Sequence, residues 1–210
     1  MVQTIQATEI NLYDLKARFG LEIVEDEQFF REWLDNLPEI TDMEKQRLDR
    51  VKASYLNLVE YPMLEEAVKM VVVSPLLDLA GFYLPPFRLI TENQVQISLQ
   101  DEDIVVKGKI DILVVKDRFW ILVIESKRSG ISLEAGLPQA LAYMLGSPNY
   151  DKPILGMVTN GRDFQFIKLV KEDTPKYGLS DSFDLRDRGN ELYDVLSILK
   201  RIAEILEPSS

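Results

Sequence analysis

Apolar residues recur at helical spacing over Glu9 to Phe19, over Asp26 to Asn36 (Phe29, Phe30, Trp33 and Leu34, with Leu37 just beyond), and over Asp42 to Glu60. Pro38 and Pro62 punctuate these stretches. Thr41 or Asp42 is placed to cap the third helix, and Glu44 lies in its first turn, where a negative charge suits the helix dipole. A further helix is expected from Met63 to Val73. Ser74-Pro75 then reads as the cap and first residue of a short helix stopping at Gly81.

The period changes to two after Gly81. Phe87–Thr91, Val95–Leu99, Ile104–Val106, Ile110–Val115 and Trp120–Ile124 are β-branched or aromatic runs between short polar links, the pattern of an antiparallel meander. The last two runs are nearly continuous in apolar residues, as expected of central strands covered on both faces. Ser132 to Leu145 returns to helical spacing and Ile154–Thr159 reads as a buried strand, so a crossover makes that strand parallel to the one before it. Asn160-Gly161 signals a hairpin into Phe164–Val170. The polar stretch Lys171 to Arg188 is expected to loop, and an amphipathic helix occupies about Gly189 to Leu206.

Composition narrows the chemistry. The 210 residues include no Cys and no His, which excludes disulfides, Cys/His zinc sites and imidazole-based catalysis. Carboxylates, Lys, Tyr, Ser and a hard cation preferring oxygen ligands remain. No basic segment followed by an apolar core opens the sequence, and no apolar run approaches the roughly 20 residues that span a bilayer, so a cytoplasmic protein without membrane contact is expected. The net charge of −11 argues against a nucleic-acid partner at first sight. Its distribution weakens that objection: residues 1–60 carry 7 basic and 13 acidic side chains, residues 61–170 carry 11 and 13, and residues 171–210 carry 6 and 9.

Two charged positions interrupt the central apolar runs: Asp111, and the cluster Glu125-Ser126-Lys127. Burying a carboxylate without a partner costs several kcal/mol, so each needs a reason to be there. A hairpin centred near residue 118 sets Asp111 and Glu125 at the same end of neighbouring strands, where two anions repel unless a cation lies between them. Glu125 and Lys127, two apart, share a face; Ser126 points away and offers its carbonyl oxygen. The set supplies two carboxylates and a carbonyl for Mg²⁺, and a lysine to position a water, which suits phosphodiester hydrolysis.

An Asp followed fourteen residues later by Glu-x-Lys, on consecutive strands and ahead of a helix, resembles the PD-(D/E)xK nuclease superfamily. Gln139-Ala-Leu-Ala-Tyr143 fits the Q-x-x-x-Y motif of RecB-like nucleases and of the nuclease domain in type I restriction R subunits. The segment from Leu64-Glu65-Glu66-Ala67 to Gly81-Phe82 is similar to the opening helix of those R-subunit domains. The resemblance covers about residues 62–170. It departs at Ile110, where relatives often have proline, and at Lys69, where they tend to have arginine.

The resemblance implies an α/β restriction-endonuclease-like core, a central mixed sheet flanked by helices, over residues 62–210, behind a helical N-terminal extension at 1–61. It implies a Mg²⁺-dependent nuclease, with Mn²⁺ able to substitute, acting on DNA. Asp111, Glu125 and the Ser126 carbonyl hold the metal in this reading, and Lys127 orients the water. Glu65, or its neighbour Glu66, assists through the metal or its waters, and Gln139 and Tyr143 contact the DNA backbone or support the site. No G-x-x-x-x-G-K-[S/T] phosphate loop is present, so a translocating motor lies outside this chain. The alternative is a non-catalytic module on the same fold, binding a protein partner or a second copy through its N-terminal helices. A carboxylate-pair glycosidase is disfavoured because Lys127 should depress the pKa of Glu125, the wrong direction for a general acid.

Overall fold

The computed structural model describes residues 3–98, 104–117 and 119–205. They form an α/β fold built on one mixed sheet of eight strands: β1 (Gln3–Gln6), β2 (Glu22–Ile23), β3 (Phe87–Ser98), β4 (Ile104–Lys116), β5 (Phe119–Ser126), β6 (Ile154–Thr159), β7 (Asp163–Val170) and β8 (Lys176–Asp184). The order is β1-β4-β5-β6-β7-β8-β2, with β3 also paired to β4. The helices are α1 (Leu12–Phe19), α2 (Asp42–Leu58), α3 (Glu65–Val68), α4 (Ser74–Leu79), α5 (Leu137–Leu145) and α6 (Leu192–Ile205).

Two apolar clusters, one on each face of the sheet, make three layers. On one face, Leu48, Val51 and Tyr55 of α2, Val68 to Leu77 of α3 and α4, and Leu196 and Leu199 of α6 cover Ile112, Val114, Leu122 and Ile124. On the other, Leu15 of α1 and Leu137 to Met144 of α5 cover Leu113, Val115, Val123 and Val158. Every residue of β6 is buried, as its unbroken apolar run requires. The β5-α5-β6 crossover gives a parallel pair, and β6 and β7 form the antiparallel hairpin signalled by Asn160-Gly161, with Gly161 at φ +84°. Among the described residues no helix is long and apolar enough to cross a membrane.

The capping signal at Thr41 is realised in full. The Thr41 hydroxyl accepts from the Glu44 N–H, and the Glu44 carboxylate accepts from the Thr41 N–H at 2.7 Å. The helix expected at Asp26 to Asn36 is instead a run of turns. Phe30 is buried there, and Phe29 and Trp33 pack against the same cluster, so the aromatic spacing serves irregular chain wrapped onto the core and leaves no free partner-binding stripe. Residues 3–6 and 22–23 are strands, not helix; they pair in parallel with β4 and β8. Lys171 to Arg188 also holds a strand, β8, whose polar outer positions hid it.

Ser74-Pro75 does not open a new helix. Ser74 is helical at φ −59° and ψ −46°, and the chain runs from α3 to α4 through a wide π turn, Lys69–Val73. Proline inside a helix lacks one N–H and crowds the carbonyl four residues back. Here the Ser74 N–H reaches back five residues to the Lys69 carbonyl, a local widening that relieves the conflict.

The five expected meander runs are three long strands. β3 passes straight through Thr91-Glu92-Asn93, and Glu92 takes φ +54°. Pairing keeps its register on both sides, Thr91 with Ile112 and Asn93 with Ile110. The facing nevertheless inverts: Ile112 and Val114 belong to one cluster, whereas Ile110 and Val106, at positions of the same parity, belong to the other. The inversion falls at Asp111. In β3 it coincides with the polar link that divided the expected runs, whereas β4 was divided earlier, at the exposed Lys107 and Lys109 around Gly108. The expected strand end at Leu99 lies outside the described residues, as does Leu206.

Candidate active site at a fork in the sheet

β3 occupies one edge of β4 over nearly its whole length. The other edge is shared: β1 pairs with residues 104–107 and β5 with residues 112–116. Residues 108–111 lie in the gap between them, and their polar groups must find other partners. The Lys109 N–H donates to the Tyr143 hydroxyl at 3.1 Å. Gly108 is required here, because a Cβ would lie 2.5 Å from Tyr143 Cε1 and 2.6 Å from the Ala7 Cβ. Asp111 fills the rest of the gap, with one carboxylate oxygen accepting from the Ser126 N–H at 2.8 Å and from the Ser126 hydroxyl at 2.9 Å.

Ile112 faces Ile124 across β4 and β5, and continuing that register sets Asp111 opposite Glu125, the arrangement expected from a turn at residue 118. Glu125 lies on the α5 side, following Val123, and Lys127 shares that side. The Lys127 ammonium donates to Glu125 Oε1 at 2.6 Å and to Gln139 Oε1 at 2.9 Å. Gln139 Nε2 in turn donates to the Tyr143 hydroxyl at 2.8 Å. Gln and Tyr four residues apart meet on one face of α5, as helical spacing requires. Both are buried, so their contacts are to the protein: Gln139 fixes Lys127, and Tyr143 fixes Gln139 and the fork.

Ser126 does point away from Glu125 and Lys127, and its side chain as well as its main chain is engaged. It shares the side of Ile124, and its hydroxyl, with its N–H, reaches the Asp111 carboxylate across the gap. Lys69, noted in the sequence only as a departure from the relatives' arginine, has its ammonium 2.8 Å from the other Asp111 oxygen and 3.4 Å from Glu66, a contact that sequence reasoning missed. Its spacing of four from Glu65 is the signal that was available. Burial alone would lower the pKa of Lys69, but the Asp111 carboxylate outweighs burial and holds it above the usual lysine value.

Glu125 is 1% exposed, and burial, with the Asp111 charge second, pushes its carboxyl up to about 8. Lys127 pulls in the opposite direction and is outweighed, while Glu65 adds to the rise. The expectation that Lys127 holds Glu125 low is therefore corrected, because desolvation of a nearly enclosed carboxylate exceeds the attraction of one ammonium. The objection to a general acid falls with it. The second oxygen, Oε2, is buried and finds no hydrogen-bond partner among the described residues. Burial also raises the Tyr143 phenol to about 12, with Glu125 second, so it stays protonated.

Glu65 is half-buried on α3; its charge reaches Glu125, but among the described residues no three acidic side chains converge to hold a metal. A cation at the fork would rest on Asp111, Glu125 and main-chain oxygen. Two basic residues of the neighbouring hairpin are engaged elsewhere, Arg162 by Asp184 and Lys168 by Glu32 at 2.5 Å. The chain matches no protein-family model and no curated protein.

Proposed function

We propose that the chain is a divalent-cation-dependent nuclease that hydrolyses DNA phosphodiester bonds at the fork, on a core of the restriction-endonuclease type. The observation that carries this reading is the buried Oε2 of Glu125, without a hydrogen-bond partner among the described residues and close to a second carboxylate. A polar atom left so is costly, and a cation relieves both its lack of a partner and the repulsion from Asp111. The oxygen donors fit a hard ion: Asp111, Glu125 and the Ser126 carbonyl are the groups that would hold Mg²⁺ or Mn²⁺. When bound, such an ion supplies positive charge against the phosphoryl group under attack.

The protein's own residues perform the rest. Lys127 has three donor hydrogens, two of them engaged by Glu125 and Gln139, and the third is left for a water or a phosphoryl oxygen. Gln139 and Tyr143 are positioning residues; they restrict the lysine to one orientation before substrate arrives. Incubation of the protein with DNA and Mg²⁺ or Mn²⁺ should give cleavage that is lost in Asp111→Ala and in Lys127→Ala. Cleavage surviving both substitutions refutes the assignment.

A second reading is favoured by the pairing of each carboxylate with a lysine, Asp111 with Lys69 and Glu125 with Lys127. In it the same constellation is a structural ion-pair network in a non-catalytic module that binds a protein partner. Calorimetry separates the two: heat of Mg²⁺ or Mn²⁺ binding at millimolar concentration, lost in Glu125→Ala, supports the nuclease, and its absence supports the module.

A further inference from the structure

Beyond the fork, β1, residues 104–110 of β4 and residues 93–98 of β3 project as a wing of the sheet. Val95 and Val106 turn one face of the wing toward the cluster containing α1 and α5. The cluster on the opposite side, formed with α2, α3, α4 and α6, includes no described residue of the wing. On that uncovered face Gln6, Lys107 and Gln96 stand in one cross-strand row, with Lys109 and Gln94 in the next, all exposed. These residues, together with Gly108, Gln139 and Tyr143, border a cleft of about 630 Å³. Along β4 these positions lead from Lys107 through Lys109 to Asp111, about 13 Å at ~3.3 Å per residue.

The chemistry of this face is amide-rich and poor in free charge. Lys109 is paired with Glu92 at 2.7 Å, whereas Lys107 has no carboxylate partner among the described residues. Affinity for a duplex comes largely from many phosphate contacts, which one free ammonium on a chain of net charge −11 does not supply. Each glutamine offers two donors and a carbonyl acceptor, the complement of a base edge. Those edges are fully open only on unpaired bases.

We infer that this face binds single-stranded nucleic acid, with bases on Gln94 and Gln96 and one phosphate on Lys107, and leads the strand to Asp111. The last step rests on the nuclease reading of the fork; the binding does not.

The test is fluorescence anisotropy of the full chain with a short labelled single-stranded DNA, without divalent cation, against a duplex of the same sequence. The single strand should bind at least about tenfold more tightly than the duplex, and Gln94→Ala with Gln96→Ala should weaken it by about tenfold, the loss of one to two hydrogen bonds. Affinity should fall with salt at a logarithmic slope of about −0.7, as for one phosphate contact on a single strand, and Lys107→Ala should flatten it. Equal affinity for the duplex, or glutamine variants that bind as the parent does, overturns the inference even if cleavage at Asp111 stands. Single-strand binding that depends on these residues, with no cleavage in Mg²⁺ or Mn²⁺, keeps the inference and refutes the nuclease. All these substitutions lie on exposed positions, and circular dichroism checks that the fold is kept.

Discussion

Replacing Glu125 by Gln tests the electrostatics of the fork without changing its shape. The amide keeps an acceptor oxygen for Lys127 and cannot ionise. In the parent, the carboxyl rises from 4.5 in the unfolded chain to about 8 in the folded one. A folded value above the unfolded one means that protonated Glu125 is the form the fold prefers, so its contribution is complete below pH 4.5 and is lost as pH rises through about 8. At 1.36 kcal/mol per pH unit the full loss is about 5 kcal/mol, and about 3 kcal/mol is already lost at pH 7. Urea unfolding in EDTA, followed by circular dichroism from pH 4.5 to 9, should therefore show Glu125→Gln gaining on the parent by several kcal/mol, with a plateau above pH 8. Other titrating groups cancel in the difference. Mg²⁺ should stabilise the parent increasingly as pH rises, because binding displaces the Glu125 proton, and should leave the Gln variant unchanged. A stability difference independent of pH, or a Gln variant that is the weaker of the two at pH 8, refutes the account of a desolvated carboxylate.

Two further outcomes test the fork itself. Gly108→Ala should lose about 1–3 kcal/mol in urea unfolding, since the added methyl group meets the Tyr143 ring and Ala7; an unchanged midpoint would contradict the close approach. A double-mutant cycle of Lys69→Met and Asp111→Asn should give a coupling of about 1–3 kcal/mol in the same assay, and additive effects would show that the two charges do not interact.

The hairpin pairing Asp111 with Glu125 was legible because both flanking runs are apolar and the polar link between them is short, leaving little choice of register. The crossover and α5 were legible for the same reason: a fully buried strand or helix must be apolar throughout. Edge elements carry no such obligation. Gln3–Gln6 and Glu22–Ile23 each need only one neighbour, and β8 keeps polar outer positions, so none of the three announces itself. The facing change was visible at Glu92 only as a polar link, which reads equally as a turn, and at Asp111 the alternation of side chains continues without a mark. Lys69 reaches Asp111 from a helix whose π turn depends on how the chain accommodates Pro75, and no residue pattern encodes that widening in advance. The Asp26 to Asn36 stretch shows the reverse error: aromatic side chains at helical spacing satisfied the core from turns.

The parallel strands at the start of the chain constrain the order in which the molecule is assembled. Gln3 rests beside Ile104, and Glu22 beside Lys176. Neither contact exists until the distant partner strand has been made and placed, and closing such long loops is slow. These two strands are therefore among the last to dock, and until they do the free edges of β4 and β8 stand open to strands of other chains.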